Sequence, residues 1–328
     1  MKPKIAFVTG GYSGEAEISY KSAVTINANI DREKFEVYMI DITPGGWFYI
    51  NDKGEKSPVD KNDFTITSGG KKIRFDAVFI GIHGTPGEDG KLQGYFDMLN
   101  IPYTSCDATT SALTFNKRFT VAVAKMAGIK VADSVHLFKH LPFDSAEISS
   151  RLTFPVFVKP NNGGSSIGMS KVDNPDSLPQ AIDKAFREDD QVLVESMISG
   201  REFTVGVYRS GSEITVLPIT EVRANEEQEF FDFDAKYKGK STETTPAVID
   251  KTIEEKLRDA AEKIYMVFNC RGVVRIDMIY NEETGAPFML EINTVPGQSA
   301  ASIIPQQVKA MGKNLKDFYT ELLETCLK

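Results

Sequence analysis

Two short segments near the C-terminus each place polar groups two residues apart in apolar surroundings: Arg275-Ile276-Asp277 in VVRIDMIY and Glu291-Ile292-Asn293 in FMLEINTVPG. In a strand, residues i and i+2 share a face, so each segment points two polar side chains one way while Val274, Ile276, Leu290 and Ile292 point the other. Carboxylates gathered on one face repel by roughly 4 kcal/mol per pair at ~4 Å and an effective dielectric of ~20. A divalent cation between them relieves that cost, and an Asp, a Glu and an Asn are the oxygen ligands a hard cation such as magnesium prefers. A metal held in this way usually serves a bound phosphate.

A place for that phosphate lies upstream. Lys159-Pro160-Asn161-Asn162-Gly163-Gly164-Ser165-Ser166-Ile167-Gly168 follows an apolar strand-like run. Glycines let backbone N–H groups turn onto a phosphate without side-chain clash, the serines add hydroxyl donors, and Lys159 brings a point charge. The segment is not a P-loop, since its lysine precedes the glycines. Nor is it a dinucleotide fingerprint, because a strand rather than a helix comes next. Alone it would equally suit a hairpin turn; beside the acidic pair it reads as a phosphate cradle. Glu195 ends the buried run Val192–Val194, and Glu202 opens the following strand after Ser199-Gly200. Acids at strand ends are commonly solvated caps; the alternative is contact with a nucleotide base and ribose at a hinge. Lys117, in FNKRF, is ambiguous in the same way.

Three layers of elements must position these groups. Strand-like runs at 4–8, 35–42 and 76–82, with glycine turns and helical patterns at about 17–29 and 91–99, predict a parallel sheet covered by helices, ending near residue 110. A helix over about 111–127, strands at 154–159, 170–172 and 191–197 and a helix at 176–187 predict a second domain, 111–200. Strands at 203–208 and 214–217, a helix at 252–268, the two metal-side strands and C-terminal helices make a third, 201–328. The polar stretch 221–245 lacks a sustained period and exceeds the usual loop length, which marks it as functional or mobile.

At 328 residues, several domains are expected. The net charge of −8 argues against nucleic acid or an anionic membrane as partner. No run approaches the ~18 apolar residues of a membrane span, and the N-terminus enters a strand without a signal segment. Cys106, Cys270 and Cys326 lack metal-ligand spacing and read as reduced cytoplasmic thiols, and His83, His136 and His140 do not cluster into a zinc site.

The ordered series Gly-Glu near the N-terminus, HGTPGEDG, Asn-Lys, Lys-Pro…Gly-Ser-Ser-Ile-Gly, Glu…Glu-Phe-Thr-Val, Ala-Lys-Tyr, Arg-Ile-Asp and Glu-Ile-Asn-Thr-Val-Pro-Gly closely resembles the D-alanine–D-alanine ligases of the ATP-grasp superfamily. The likeness runs from Lys4 to Lys328. It implies an α/β and α+β architecture in which a parallel-sheet domain precedes two α+β domains that clamp ATP. It implies two magnesium ions, with manganese as a substitute, on Asp277, Glu291 and Asn293. Lys117 and Lys159 match lysines on the nucleotide phosphates, with Gly164, Ser165 and Ser166 in the cradle. Glu195 and Glu202 match the adenine-side and ribose contacts, with Ser196, Met197 and Ile198 on the nucleotide as well.

The resemblance also fills the substrate end. Glu15 matches the acid that holds the ammonium of the first D-alanine, although a helix N-terminus would also favour an acid there. His83 matches a histidine near that substrate's carboxylate. Ser165 and Tyr237 match a serine and a tyrosine hydrogen-bonded with Glu15, and Lys236 a lysine that reaches the transferred phosphoryl group. Ser302 and Ile303 match the position that receives the carboxylate of the second D-alanine. Arg275 and the Gly297 N–H match an oxyanion hole, and 221–245 a lid. The implied activity is ATP-dependent ligation of two D-alanines through an acyl phosphate, for peptidoglycan precursors, by a cytoplasmic homodimer. Asn162-Gly163 depart from the charged Arg-Glu pair of many members, and Phe231 and Phe233 stand where tyrosines are common. Retention of Lys236-Tyr237 favours the dipeptide product. A D-alanine–D-lactate or D-alanine–D-serine ligase, and a non-catalytic ATP-binding regulator of the same fold, are the alternatives.

Overall fold

The computed structural model describes residues 1–163, 167–224 and 241–328. The first sheet is built on β1 (Lys4–Gly10), which is followed by α1 (Ala16–Asn29), β2 (Glu36–Thr43), β3 (Gly46–Ile50) and β4 (Lys56–Pro58). A small hairpin, β5 (Ile66–Ser68) with β6 (Lys71–Ile73), precedes β7 (Ala77–Ile80) and α2 (Lys91–Met98). β1 runs parallel to both β2 and β7, whereas β3 and β4 extend the sheet as an antiparallel arm. Ile5, Ala6, Phe7 and Val8 are fully buried, as a strand covered on both faces requires. The expected parallel sheet is thus present, and the antiparallel arm and the 66–73 hairpin are additions to it.

The helix expected over 111–127 is two helices, α3 (Ala108–Phe115) and α4 (Lys117–Met126). Asn116 between them is extended (φ −95°, ψ 104°), and its side chain accepts from the Phe119 N–H as an N-cap. The break sets the start of α4 against the glycine loop, where the Lys117 N–H donates to the Asn161 carbonyl. The second sheet takes β8 (Ser134–Phe138), then, after α5 (Ser145–Arg151), β9 (Val156–Pro160) and β10 (Ser170–Val172), and, after α6 (Leu178–Ala185), β11 (Gln191–Ser196). Its order is β10-β9-β11-β8, antiparallel throughout, over a core of its own that includes Val156, Val158, Leu178 and Ile182.

The third sheet contains β12 (Arg201–Ser210), β13 (Glu213–Val216), β14 (Thr220–Ala224) and β15 (Ser241–Thr244). After α7 (Lys251–Val267) come β16 (Val273–Asn281) and β17 (Ala286–Asn293), then α8 (Ile303–Ala310) and α9 (Leu315–Cys326). The order is β15-β14-β12-β16-β17, with β13 beside β12. The ends of the polar 221–245 stretch are therefore strands, paired from Glu221↔Thr244 to Ala224↔Ser241. Their polar sequence hid this because Glu221 is buried as an ion pair with Arg201 (2.7 Å) and Arg223 (2.9 Å). The remainder of that stretch, 225–240, lies outside the described residues.

α8 and α9 pack with Phe7, Phe79 and Tyr208 in one core, joining the third unit to the first sheet. At the same junction Gly272 adopts φ +62°, and a Cβ there would lie 1.8 Å from the Thr104 carbonyl oxygen, so only glycine fits. Buried Gln307 on α8 accepts from the Gly206 N–H (3.0 Å) and donates to the Thr204 carbonyl (2.9 Å), locking the helix onto β12.

Candidate functional site

The β16–β17 ladder pairs Asp277 directly with Glu291, and Arg275 with Asn293. The register shifts just beyond, between Asp277 and Met278. Leu290 is the residue left over; it is half-buried, and Met289 fills the core position expected of it. Val274, Ile276 and Ile292 do face the core, as the alternation predicts. On the other face Arg275 donates to both oxygens of Asp277 (Nε 2.9 Å, Nη2 2.7 Å), and its Nη2 lies 3.7 Å from Glu291. Thr204 Oγ1 donates to Asp277 Oδ1 (2.8 Å). Asn293 Nδ2 lies 3.4 Å from both Asp277 Oδ2 and Glu291 Oε1.

That donor set fits a hard cation. Two carboxylates and an amide converge, and turning the Asn293 amide about its terminal torsion puts its oxygen on the same point. Among the described residues no three His, Cys, Asp or Glu side chains gather as a self-sufficient metal cage. A cation here would need phosphate oxygens to complete its shell, which is how magnesium is usually held.

The acidic face opens on a cleft of about 350 Å³, within the ~300–1,000 Å³ typical of small-molecule sites. Its lining draws Glu15, His83 and Glu88 from the first unit, and Lys117 and Gly163 from the middle of the chain. Glu202, Arg275, Asp277, Glu291, Asn293, Gly297, Ser302 and Ile303 complete it from the third. Lys159, Glu195, Ser196, Met197 and Ile198 are not in that lining. Lys159 Nζ instead meets Glu195 Oε1 at 2.5 Å, a partly buried pair spanning β9 and β11. Gly164, Ser165, Ser166, Lys236 and Tyr237, with Phe231 and Phe233, lie outside the described residues.

At the cradle, Lys117 Nζ donates to the Gly163 carbonyl (2.7 Å) and buried Asn161 Oδ1 accepts from the Arg118 N–H (2.8 Å). The α4 N-terminus and the glycine loop are thereby one unit, with a cation and helix N–H groups at the same edge. Asn162 is drawn to Asp189 by its backbone N–H (2.7 Å) and side-chain amide (2.8 Å).

At the opposite wall, Glu15 is the N-cap residue of α1, and its Oε2 lies 2.3 Å from where a Cβ on Gly84 would stand. Gly84 (φ +66°) therefore makes room for that carboxylate. His83 is buried, with Nε2 2.9 Å from Ser22 Oγ, which itself accepts from the Gln298 N–H (3.1 Å). That leaves the other ring nitrogen to the Val295 backbone. Burial, aided by the Arg275 charge and opposed by the Val295 bond, pushes the imidazole down to about 4, so it is neutral at pH 7. With both ring nitrogens engaged, His83 ties the first unit's turn to the 295–298 segment.

Glu88, which the sequence did not single out, does the same more directly. It accepts from the Gly84 N–H (2.7 Å) and, across 207 residues, from the Val295 N–H (3.1 Å). Burial, and then the Glu15 charge, push its carboxyl up to about 8 against those N–H bonds and Arg275. Between its ordinary value of 4.5 and about 8 the folded protein holds a proton that the unfolded chain releases. The stability this supplies is complete below the ordinary range and lost as pH rises through about 8. Glu88→Gln, a neutral isostere, should cost about 1–3 kcal/mol by disturbing one acceptor. Its melting-temperature deficit should shrink between about pH 5 and pH 8. A deficit constant across that window would show that Glu88 holds no such proton.

Behind Gly297, a Cβ would come within 2.9 Å of Ser302 Oγ. Ser302 is the N-cap residue of α8, and its Oγ accepts from the Ser299 N–H (3.0 Å), leaving the first helix N–H groups of α8 toward the cleft end. One cleft thus holds ammonium-seeking, phosphate-seeking and carboxylate-seeking groups side by side. Arg275 and Gly297 line the same cleft.

Comparison with known proteins agrees with this arrangement. The family described as D-ala D-ala ligase N-terminus matches residues 4–106, and D-ala D-ala ligase C-terminus matches residues 116–324. The chain is similar to the D-alanine–D-alanine ligase of Parabacteroides distasonis, 46% identical over 328 residues that cover 100% of this chain and 98% of that one. It is 44% identical to that of Flavobacterium johnsoniae over 323 residues, 98% and 99% of the two chains. Among solved structures it is similar to the VanG D-Ala:D-Ser ligase of Enterococcus faecalis (TM-score 0.87, 32% identity, 99% of each chain). D-alanyl-alanine synthetase A of Vibrio cholerae is similar too (TM-score 0.88, 29% identity, 99% and 98%). The fold is the ATP-grasp fold. With both halves of the family matched and relatives aligned from end to end, the chain belongs to the D-alanine–D-alanine ligase family.

Proposed function

We propose that this chain is the enzyme that joins two D-alanines at the cost of ATP, giving D-alanyl-D-alanine for peptidoglycan precursors. The observation that carries the reading is the convergence of Arg275, Asp277, Glu291 and Asn293 with Glu15 and the start of α8 in one cleft. A carboxylate is a poor electrophile, so one oxygen of the first D-alanine must become a leaving group. Its carboxylate attacks the γ-phosphorus of ATP, giving an acyl phosphate and ADP. The amine of the second D-alanine then attacks the acyl carbon; a tetrahedral intermediate loses inorganic phosphate and a proton to leave the amide.

In this reading Glu15 holds the first ammonium, and His83 and Glu88 fix the turn that presents it. Magnesium on Asp277, Glu291 and Asn293, with manganese as a substitute, would neutralise the phosphate oxygens. Lys117, Lys159 and the 163–168 loop approach the nucleotide from the other side, with Ser165 also joining Glu15 and Tyr237. Lys159 is held by Glu195, so nucleotide must loosen or share that pair. Glu202 and the 195–198 segment take the ribose and base. Arg275 and the Gly297 N–H meet the tetrahedral oxyanion, and Ser302 and Ile303 at the α8 N-terminus take the second carboxylate. Lys236 and Tyr237 belong to the 221–245 lid, which keeps water from the acyl phosphate.

Among the described residues no helix is long and apolar enough to cross a membrane, and dependence on ATP supports a cytoplasmic place of action. Family likeness supports a homodimer, which sedimentation tests. The activity is tested by D-alanine-dependent ADP release with ATP and magnesium, with D-lactate or D-serine added in parallel. Dipeptide formed from D-alanine alone is expected. Turnover that appears only with D-serine, the second substrate named for the Enterococcus faecalis relative, would move the chain to that class. Nucleotide binding without turnover would make it a regulator.

A further inference from the structure

A second cleft, of about 490 Å³, opens where the 97–104 segment, the start of β16 and the end of α9 meet. It shares no lining residue with the catalytic cleft, so the ligase reaction does not account for it. Its lining is basic on balance: Arg209, Arg271 and Lys328 against the one acidic side chain Asp97, which is already bonded to the Tyr103 hydroxyl (2.7 Å). Arg271 is loosely held, 3.5 Å from Asp107, with its guanidinium over the Tyr103 ring.

Arg209 is the telling residue. It is half-buried, and its Nε is fully buried with no hydrogen-bond partner. Among the described residues it has no ion-pair partner either, and the centroid of the Tyr265 ring lies 6.0 Å from the guanidinium carbon. The guanidinium charge thus has no carboxylate beside it among the described residues, and a half-buried cation without a counter-ion favours an anionic ligand within its reach. Ile101, Pro102 and Leu322 supply apolar wall beside it. An arginine fork matches the planar spread of oxygens on a phosphate better than a point charge does.

We propose that Arg209 and Arg271 head a binding site for a small phosphate monoester whose organic part lies against Ile101, Pro102 and Leu322. The site takes a ligand that is neither substrate nor product of the ligation, and its dianionic head supplies the counter-charge that the Arg209 guanidinium lacks.

Calorimetric titration with phenyl phosphate tests this, using full-length enzyme whose catalytic cleft is filled with D-alanine, magnesium and a non-hydrolysable ATP analogue. One-to-one binding is expected, at least about tenfold weaker in Arg209→Gln and closer to the parent in Arg209→Lys, since a charge-assisted fork is lost in the first and a charge retained in the second. The unliganded melting temperature of Arg209→Gln should equal or exceed the parent's. No binding, or binding unchanged by Arg209→Gln, overturns the proposal. Equal affinity for benzoate would overturn the phosphate assignment. A large fall in unliganded melting temperature would make Arg209 structural and overturn it too.

Discussion

Glu291→Gln should leave a folded protein that no longer turns over ATP. The side chain is about one-third exposed, it lies 3.7 Å from Arg275 and 3.4 Å from Asn293, and glutamine fills the same volume. Loss of its charge also removes the repulsion from Asp277 across the ladder, so the melting temperature should stay near the parent's. The chemistry behaves differently. Charge neutralisation of transferring phosphoryl oxygens supplies several kcal/mol, and about 3–5 kcal/mol corresponds to roughly 10²–10⁴-fold in kcat. The magnesium concentration giving half-maximal rate should rise as well. Near-parental ADP release at saturating magnesium would remove Glu291 from the metal set.

How much of this was legible beforehand depended on the range of the interaction. Alternation along VVRIDMIY and FMLEIN exposed the polar face, and its placement in a cleft followed because Val274, Ile276 and Ile292 had to be buried. The Leu290–Met289 exchange did not follow, since a bulge is a property of two strands and neither sequence shows it alone. Asn116 could have been read as a cap in mid-pattern, but the apolar residues on both sides kept one helical period running through it. Glu88 sat in a motif that was recognised, yet its partner at Val295 is 207 residues away and is a backbone N–H, which no side-chain pattern reveals. The Lys159–Glu195 pair illustrates the opposite problem: each residue type suits a nucleotide contact, and their placement across β9 and β11 makes them partners first. Residue types carried the chemistry, whereas pairings between distant backbones did not declare themselves.

Arg275→Met separates two things that one arginine does. The guanidinium is the bidentate partner of Asp277, whose side chain is only 7% exposed. Removing one member of a buried ion pair strands the other and typically costs about 3–5 kcal/mol, here moderated by the Thr204 hydroxyl that still donates to Asp277. Arg275 also lines the cleft together with Gly297, and in the proposed mechanism its remaining N–H groups meet the tetrahedral oxyanion; loss of one such donor typically lowers kcat by about 10²–10³. Arg275→Lys keeps the charge but not the fork. It should therefore recover most of the lost stability while kcat stays low. KM for D-alanine should change little in the lysine variant, because the donor acts on charge that develops only in the transition state. A lysine variant that recovers stability and kcat together would mean that Arg275 serves Asp277 by charge alone, and the oxyanion role would then fall to the Gly297 N–H.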